Sequence, residues 1–238
     1  MPLPFIRVGH NTVPLIGDAQ CVEPFESKLE FIIGRDKCKA RALDEVSLVT
    51  VHDTAGEGSG PAIYRTLKSR SVSVHFAIDR AGLIWQFCDP AVVTAFHMGP
   101  GNSRSIGIEI ANAVFGGGVK PGLFANLRRY VLTGRERLYG RTVTIDEYRG
   151  RSRRVLGHFD AQKSALSGLV RTLLREFPTI PPRLPPRSLL VEPGPRPVGT
   201  RLDPAWRGVA SHLHFSDAHV DCVGDAYETL LRDGIAFS

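Results

Sequence analysis

Two separated stretches of this chain carry side chains that bind metals. Val49-Thr-Val-His-Asp-Thr-Ala-Gly56 sets His52 at the end of an apolar run. His212-Leu-His-Phe-Ser-Asp-Ala-His-Val-Asp-Cys-Val-Gly224 supplies His212 or His214, together with Cys222. Zinc takes imidazole nitrogen and thiolate sulfur, and a catalytic zinc keeps three protein ligands with a fourth position left for water. Together the stretches read as two halves of one zinc site, and the chemistry they point to is metal-assisted hydrolysis. Alone, neither half is diagnostic. A histidine ending a strand is more often structural, and a single cysteine also reads as a buried, inert thiol.

The intervening sequence strengthens the reading. Ser71-Val-Ser-Val-His-Phe-Ala-Ile-Asp-Arg80, Ala95-Phe-His-Met-Gly99 and Asn102-Ser-Arg-Ser-Ile-Gly-Ile-Glu-Ile110 follow in that order. The ordered set resembles the zinc-dependent N-acetylmuramoyl-L-alanine amidases, a group that includes phage amidase endolysins, muropeptide amidases and peptidoglycan recognition proteins. The resemblance runs with interruptions from about residue 46 to 232.

The resemblance implies an α/β fold with a central mixed β-sheet flanked by α-helices. It implies a hydrolase that cuts the amide between N-acetylmuramic acid and L-alanine in peptidoglycan or muropeptides, with Zn2+ as cofactor. The metal ligands implied are His52, His212 and Cys222. Cys222 lies ten residues after His212 and eight after His214, and both spacings occur in the family. His212 is preferred because it ends a strand as His52 does and because Phe215 falls where the family carries an apolar residue. In an extended chain His214 would point to the same side. Glu109 matches the general base of the muropeptide-amidase branch, and an otherwise apolar Ile-Gly-Ile-Glu-Ile strand gives such a carboxylate few other reasons to be there. His75 and His97 are expected along the substrate groove, with a core role as the plainer reading of His75. Asn102 and Arg104 are expected to hold a peptide carboxylate or sugar, arginine being suited to bidentate capture. An ordinary ion-pair role for Arg104 carries equal weight. His158 sits in Leu156-Gly-His-Phe-Asp-Ala-Gln-Lys163, which imitates the family's last metal-binding element. No Asp or Cys follows at the required distance, so His158 reads as a helix-entry residue and not a ligand.

Three positions depart from the family pattern. Its Asp/Cys-Pro-Gly becomes Cys222-Val-Gly224, and Val220 stands where a Lys or Thr usually supports the oxyanion. His219 is the expected substitute in that role. Val74 replaces a tyrosine found in some branches. Val220 also supports an alternative reading, a peptidoglycan-binding module of the same fold with reduced or no catalysis.

Composition narrows the partners. The chain has 238 residues, 42% of them hydrophobic and 23% charged, as in an ordinary globular protein. No apolar run reaches the roughly 18–20 residues that span a bilayer, and the first residues lack a signal-peptide pattern. A cytoplasmic protein is expected, reaching the wall, if it does, by a non-Sec route. Four scattered cysteines (21, 38, 88 and 222) do not make a disulfide scaffold. The net charge of +6 favours an anionic partner. No nucleic-acid partner is expected, because basic residues are not interleaved with aromatics in a recognisable motif. DNA binding by the basic 128–154 stretch would be salt-sensitive and would survive zinc removal. The partner expected is peptidoglycan or a muropeptide.

The elements that must position these residues follow from pattern. Residues 1–45 read as an N-terminal arm and 46–238 as the catalytic domain, with a basic insertion at about 113–157 and a Pro-rich loop at about 178–204. Val46–His52 and Ile106–Ile110 read as buried strands, and Val72–Ile78 with Leu83–Phe87 as a hairpin turning at Asp79–Gly82. Pro61 opens a short helix. Apolar residues at 161, 165, 166, 169, 170, 173, 174 and 177 have helical period, with Asp160 as N-cap. A short strand at 208–212 and a helix from Ala226 to Arg232 close the chain.

Overall fold

A computed structural model of the chain describes residues 3–22, 39–41, 45–54, 56, 58–112, 143–148, 151–186, 201–215 and 225–238. Its strands, in chain order, are β1 (Phe5–Val8), β2 (Asn11–Pro14), β3 (Gln20–Val22), β4 (Lys39–Ala40), β5 (Leu48–Asp53), β6 (Phe76–Ile78), β7 (Leu83–Gln86) and β8 (Val93–Thr94). They continue with β9 (Ser105–Ile110), β10 (Val143–Tyr148), β11 (Arg151–Leu156), β12 (Arg183–Leu184), β13 (Gly208–Ser211) and β14 (Ala236–Phe237). The helices are α1 (Gly60–Ser69), α2 (Asp160–Glu176) and α3 (Asp225–Arg232).

Six strands form the central sheet in the order β13-β5-β9-β6-β7-β3. The run β13, β5, β9 and β6 is parallel, β7 is antiparallel to β6, and β3 is parallel to β7. The sheet is therefore mixed, with helices on both faces.

Alternation along the strands decides which face meets which helix. Val49 and Val51 of β5, Ile106, Ile108 and Ile110 of β9, and Phe76 and Ile78 of β6 share one core with Leu166, Leu169, Val170 and Leu173 of α2. Ala77 faces the other way and packs with Ile63, Tyr64 and Leu67 of α1. Leu48, Thr50 and His52 thus lie on the face opposite α2, as do Ser105, Gly107 and Glu109. The same alternation puts Asp53 on the α2 side.

The connections explain where a site can form. From β5 the chain crosses by α1 on one face to β6, and from β9 it crosses by α2 on the other face to β13. Adjacent strands whose connections leave to opposite sides open a crevice at their carboxyl ends, where open α/β sheets bind ligands. In this sheet the pair is β5 and β9, and their carboxyl ends carry His52 and Glu109.

Several local expectations correspond closely to what forms. Pro61 occupies the first turn of α1, where its missing N–H costs nothing. The β6–β7 turn uses Gly82 at φ +81°, and Asp79 Oδ1 accepts the N–H groups of Ala81 and Leu83 at 2.9 and 3.1 Å. Helix α2 starts one residue earlier than expected. Phe159 is its N-cap, Gln162 Oε1 accepts the Phe159 N–H at 3.0 Å, and Asp160 sits in the first turn, where it pairs with Lys163.

The described N-terminal residues join the sheet and its core. Cys21 of β3 pairs in register with Ile84 of β7 and is buried, and Ile6, Val8, Val13 and Leu15 join the α2-side core. Within the basic stretch, β10 and β11 pair antiparallel with each other, and the rest of 113–157 up to Arg151 lies outside the described residues. Of the Pro-rich loop, residues 187–200 also lie outside them; its described part includes β12, parallel to β14. Cys21 and Cys88 are buried free thiols.

Candidate active site

Three parallel strands bring the key residues together. His52, next to last in β5, has Glu109 as its register partner on β9, and Ser211, the last residue of β13, pairs with Val51. His212 follows directly in a 3₁₀ turn, His212–His214. The His52 and His212 rings meet edge to face, with centroids 5.2 Å apart. His52 is buried and His212 half-buried.

That turn separates the two candidate histidines. In an extended strand they would share a side, but the 3₁₀ turn sends His214 to the opposite face. His214 is fully buried, its Nδ1 accepts the Ser211 N–H at 3.0 Å, and its ring lies 5.9 Å from that of Tyr227 in α3. His212, not His214, is the residue brought to His52.

Glu109 is half-buried beside His52 and lines a pocket with Thr54, Gly56, Ala62, Thr66 and Arg70. The pocket runs between the β5–α1 loop and one face of α1.

His97, expected along the substrate groove, lies against the rings of His52 and His75. Its Nδ1 lies 3.0 Å from His52 Nε2, and its Nε2 lies 3.0 Å from Ser105 Oγ. Both ring nitrogens are therefore committed inside the protein. Burial lowers its pKa well below the usual histidine value, and the nearby His52, His75, Arg41 and His212 lower it further, so the ring is neutral at pH 7.

His75 is a core residue in this arrangement and leaves no ring nitrogen for a substrate. It is wholly buried; Nε2–H donates to the Val93 carbonyl and Nδ1 accepts the Gly107 N–H, both at 2.9 Å. Burial and then the charge of Arg41 hold its pKa well below the usual value, which keeps it neutral.

Asn102 and Arg104 are likewise turned inward. Asn102 Oδ1 accepts the N–H groups of His97 and Met98 at 2.9 and 2.8 Å, shaping the turn that presents His97. Arg104 Nη1 donates to the Trp206 carbonyl at 2.6 Å and Nη2 to that of Pro204, and the guanidinium lies over the Phe215 ring. Arg104 precedes β9, whereas Glu109 lies near its far end, four residues or about 13 Å along. These bonds give both residues structural work.

Arg41 escaped the sequence reading, which set it in the arm. It donates from Nη1 to the Pro90 carbonyl at 3.0 Å and from Nη2 to the carbonyls of Asn102 and Ser105. Burial lowers its pKa to about 10, so it remains charged at pH 7. It clamps the loop that carries His97.

His158 occupies the other face of the sheet. It is buried at the entrance to α2, with Nε2 2.7 Å from Asp53 Oδ1. This agrees with its reading as a helix-entry residue. Cys222 and His219 lie outside the described residues, and among the described residues no three metal-ligating side chains form a complete group.

The sequence profile of N-acetylmuramoyl-L-alanine amidases matches residues 42–205, well over half of the chain. The chain belongs to this amidase family. The match stops before His212, so the choice of His212 rests on the geometry above. No curated protein sequence matches the chain. Among solved structures, the amidase LysC from Clostridium intestinale URNW is similar at 14% identity and a TM-score of 0.46, over 90% of this chain and 95% of that one. AmiD from E. coli, solved with the substrate anhydro-N-acetylmuramic acid-L-Ala-D-gamma-Glu-L-Lys, is similar at 17% identity and a TM-score of 0.49, over 81% of this chain and 58% of that one. PGRP-SA of Apis mellifera is similar over 49% of this chain and 76% of that one, at 15% identity and a TM-score of 0.30. No residue assignment rests on these likenesses.

Proposed function

We propose that this member of the amidase family is a zinc hydrolase that cleaves the amide between N-acetylmuramic acid and L-alanine. The observation that carries the proposal is the meeting of His52, His212 and Glu109 at the carboxyl ends of β13, β5 and β9. Two facing imidazoles are a donor set that zinc accepts, and Cys222 would complete it. The ion would supply Lewis acidity, polarising the amide carbonyl and acidifying water.

The remaining work falls to the protein. Glu109 takes the proton of the attacking water and returns it to the leaving amine, which departs as the free amino group of L-alanine. The pocket that Glu109 lines would bind the stem peptide. Ala62 and Thr66 lie on one face of α1 and Arg70, its C-cap, continues the same line four residues on, a track of about 12 Å. Arg70 ends the track and makes no ion pair among the described residues. That suits a short peptide carrying free carboxylates, such as the L-Ala-D-gamma-Glu-L-Lys stem of the AmiD substrate. His219 is assigned to support of the oxyanion, in place of the residue replaced by Val220.

Val220 also favours a second reading, a binding module that retains the cleft without turnover. Incubation with purified sacculi and with soluble muropeptides, followed by mass analysis, separates the two. Release of peptides beginning with L-alanine supports the hydrolase. Binding to either material without any release supports the module.

A further inference from the structure

We propose that His97 is a positioning residue for the metal ligand His52. It accepts the His52 Nε2–H at Nδ1, passes its own Nε2–H to Ser105 Oγ, and so fixes the His52 tautomer whose lone pair is on Nδ1. The inference rests on the zinc reading above and deepens it.

The two 3.0 Å contacts admit two directions of donation. In one, His52 donates to His97 and His97 donates to Ser105. In the other, Ser105 donates to His97 and His97 donates to His52, and a neutral His52 then carries its proton on Nδ1. A histidine coordinates through an unprotonated nitrogen. Since His97 engages Nε2, metal binding through Nδ1 requires the first direction. Partners of this kind, beyond the ligands themselves, set ring orientation and ligand basicity at metal sites.

The seat of His97 is built for the purpose. A Cβ at Gly107 would come within 2.8 Å of three atoms of the His97 ring, so the absence of a side chain on that residue of β9 is what lets the ring lie there. Asn102 fixes the main chain of His97 and Met98, and Arg41 fixes the carbonyls of Asn102 and Ser105. Gly107, Asn102 and Arg41 thus hold one imidazole between His52 and Ser105.

The test is zinc affinity, measured by chelator competition on the purified full chain, with folding checked by circular dichroism. His97→Ala should weaken zinc binding on the order of 10- to 100-fold. His97→Asn, whose Oδ1 can replace Nδ1 as acceptor, should recover most of that loss. Gly107→Ala, which displaces the ring and changes no polar group, should weaken it as well. In zinc-loaded wild type, 15N NMR should show His52 protonated at Nε2. If folded His97→Ala binds zinc as tightly as wild type, the proposal is wrong while the zinc reading stands. If wild type binds no zinc, the underlying reading is wrong and the proposal falls with it.

Discussion

His52 and Glu109 stand in register on neighbouring parallel strands, with their side chains on the same face of the sheet. Neighbouring strands lie about 4.8 Å apart, so one backbone ladder sets the spacing between the proposed metal ligand and the proposed base. A one-residue slip of β9 would turn Glu109 into the α2-side core.

Glu109→Gln keeps the shape and the strand and removes the proton acceptor. The variant should fold, hold zinc and bind peptidoglycan, with amide cleavage lowered by at least about 100-fold. Cleavage at the wild-type rate would mean that the base lies elsewhere. The geometry leaves little scope for His75, whose ring nitrogens are both bonded to main chain.

His52→Ala, His212→Ala and Cys222→Ala should each abolish stoichiometric zinc by elemental analysis, whereas His214→Ala should retain it. His214 packs against Tyr227, away from His52, and its loss should appear as lower stability. Zinc lost from His214→Ala and kept in His212→Ala would reverse the assignment.

His158→Ala tests the pair beneath the site. It removes the partner of Asp53 Oδ1 in a fully buried position, and Asp53 Oδ2 already has no hydrogen-bond partner among the described residues. Breaking a buried pair from one side costs about 3–5 kcal/mol, to be read from urea unfolding, with zinc content unchanged in the folded fraction. Loss of less than about 1 kcal/mol would show that the pair contributes little.

The sheet and α2 were legible because their apolar residues have unmistakable periods: Leu48–Asp53 and Ser105–Ile110 are buried strands, and Asp160–Glu176 is an amphipathic helix. The sequence also singled out His52, His212 and Glu109, which the sheet brings to the carboxyl ends of β5, β13 and β9. Ring partners were not legible. Nothing in the spacing of His52, His97 and Ser105 shows that they form a chain, or that Asp53 meets His158 105 positions later. The divergence of His212 and His214 depends on a three-residue turn that periodicity cannot register. β3 and Arg41 were hidden for another reason: a three-residue strand and one buried guanidinium take their meaning from distant neighbours.

Arg70→Ala should raise KM about two- to fivefold for muropeptides with free stem-peptide carboxylates, the scale of an exposed ion pair, with kcat little changed. Substrates whose carboxylates are amidated should show no such difference between wild type and variant. An equal loss on both would assign Arg70 to the shape of α1 and not to charge recognition.

The most direct test of the account is product analysis after zinc-loaded wild-type protein is incubated with a defined muropeptide, beside the same protein stripped by a chelator and then resupplied with zinc. The account predicts two products, a sugar bearing a free lactyl carboxylate and an intact peptide with L-alanine at its amino terminus. Both should vanish on stripping and return with zinc. An uncut muropeptide, a cut at any other bond, or undiminished cleavage by the stripped protein would contradict it.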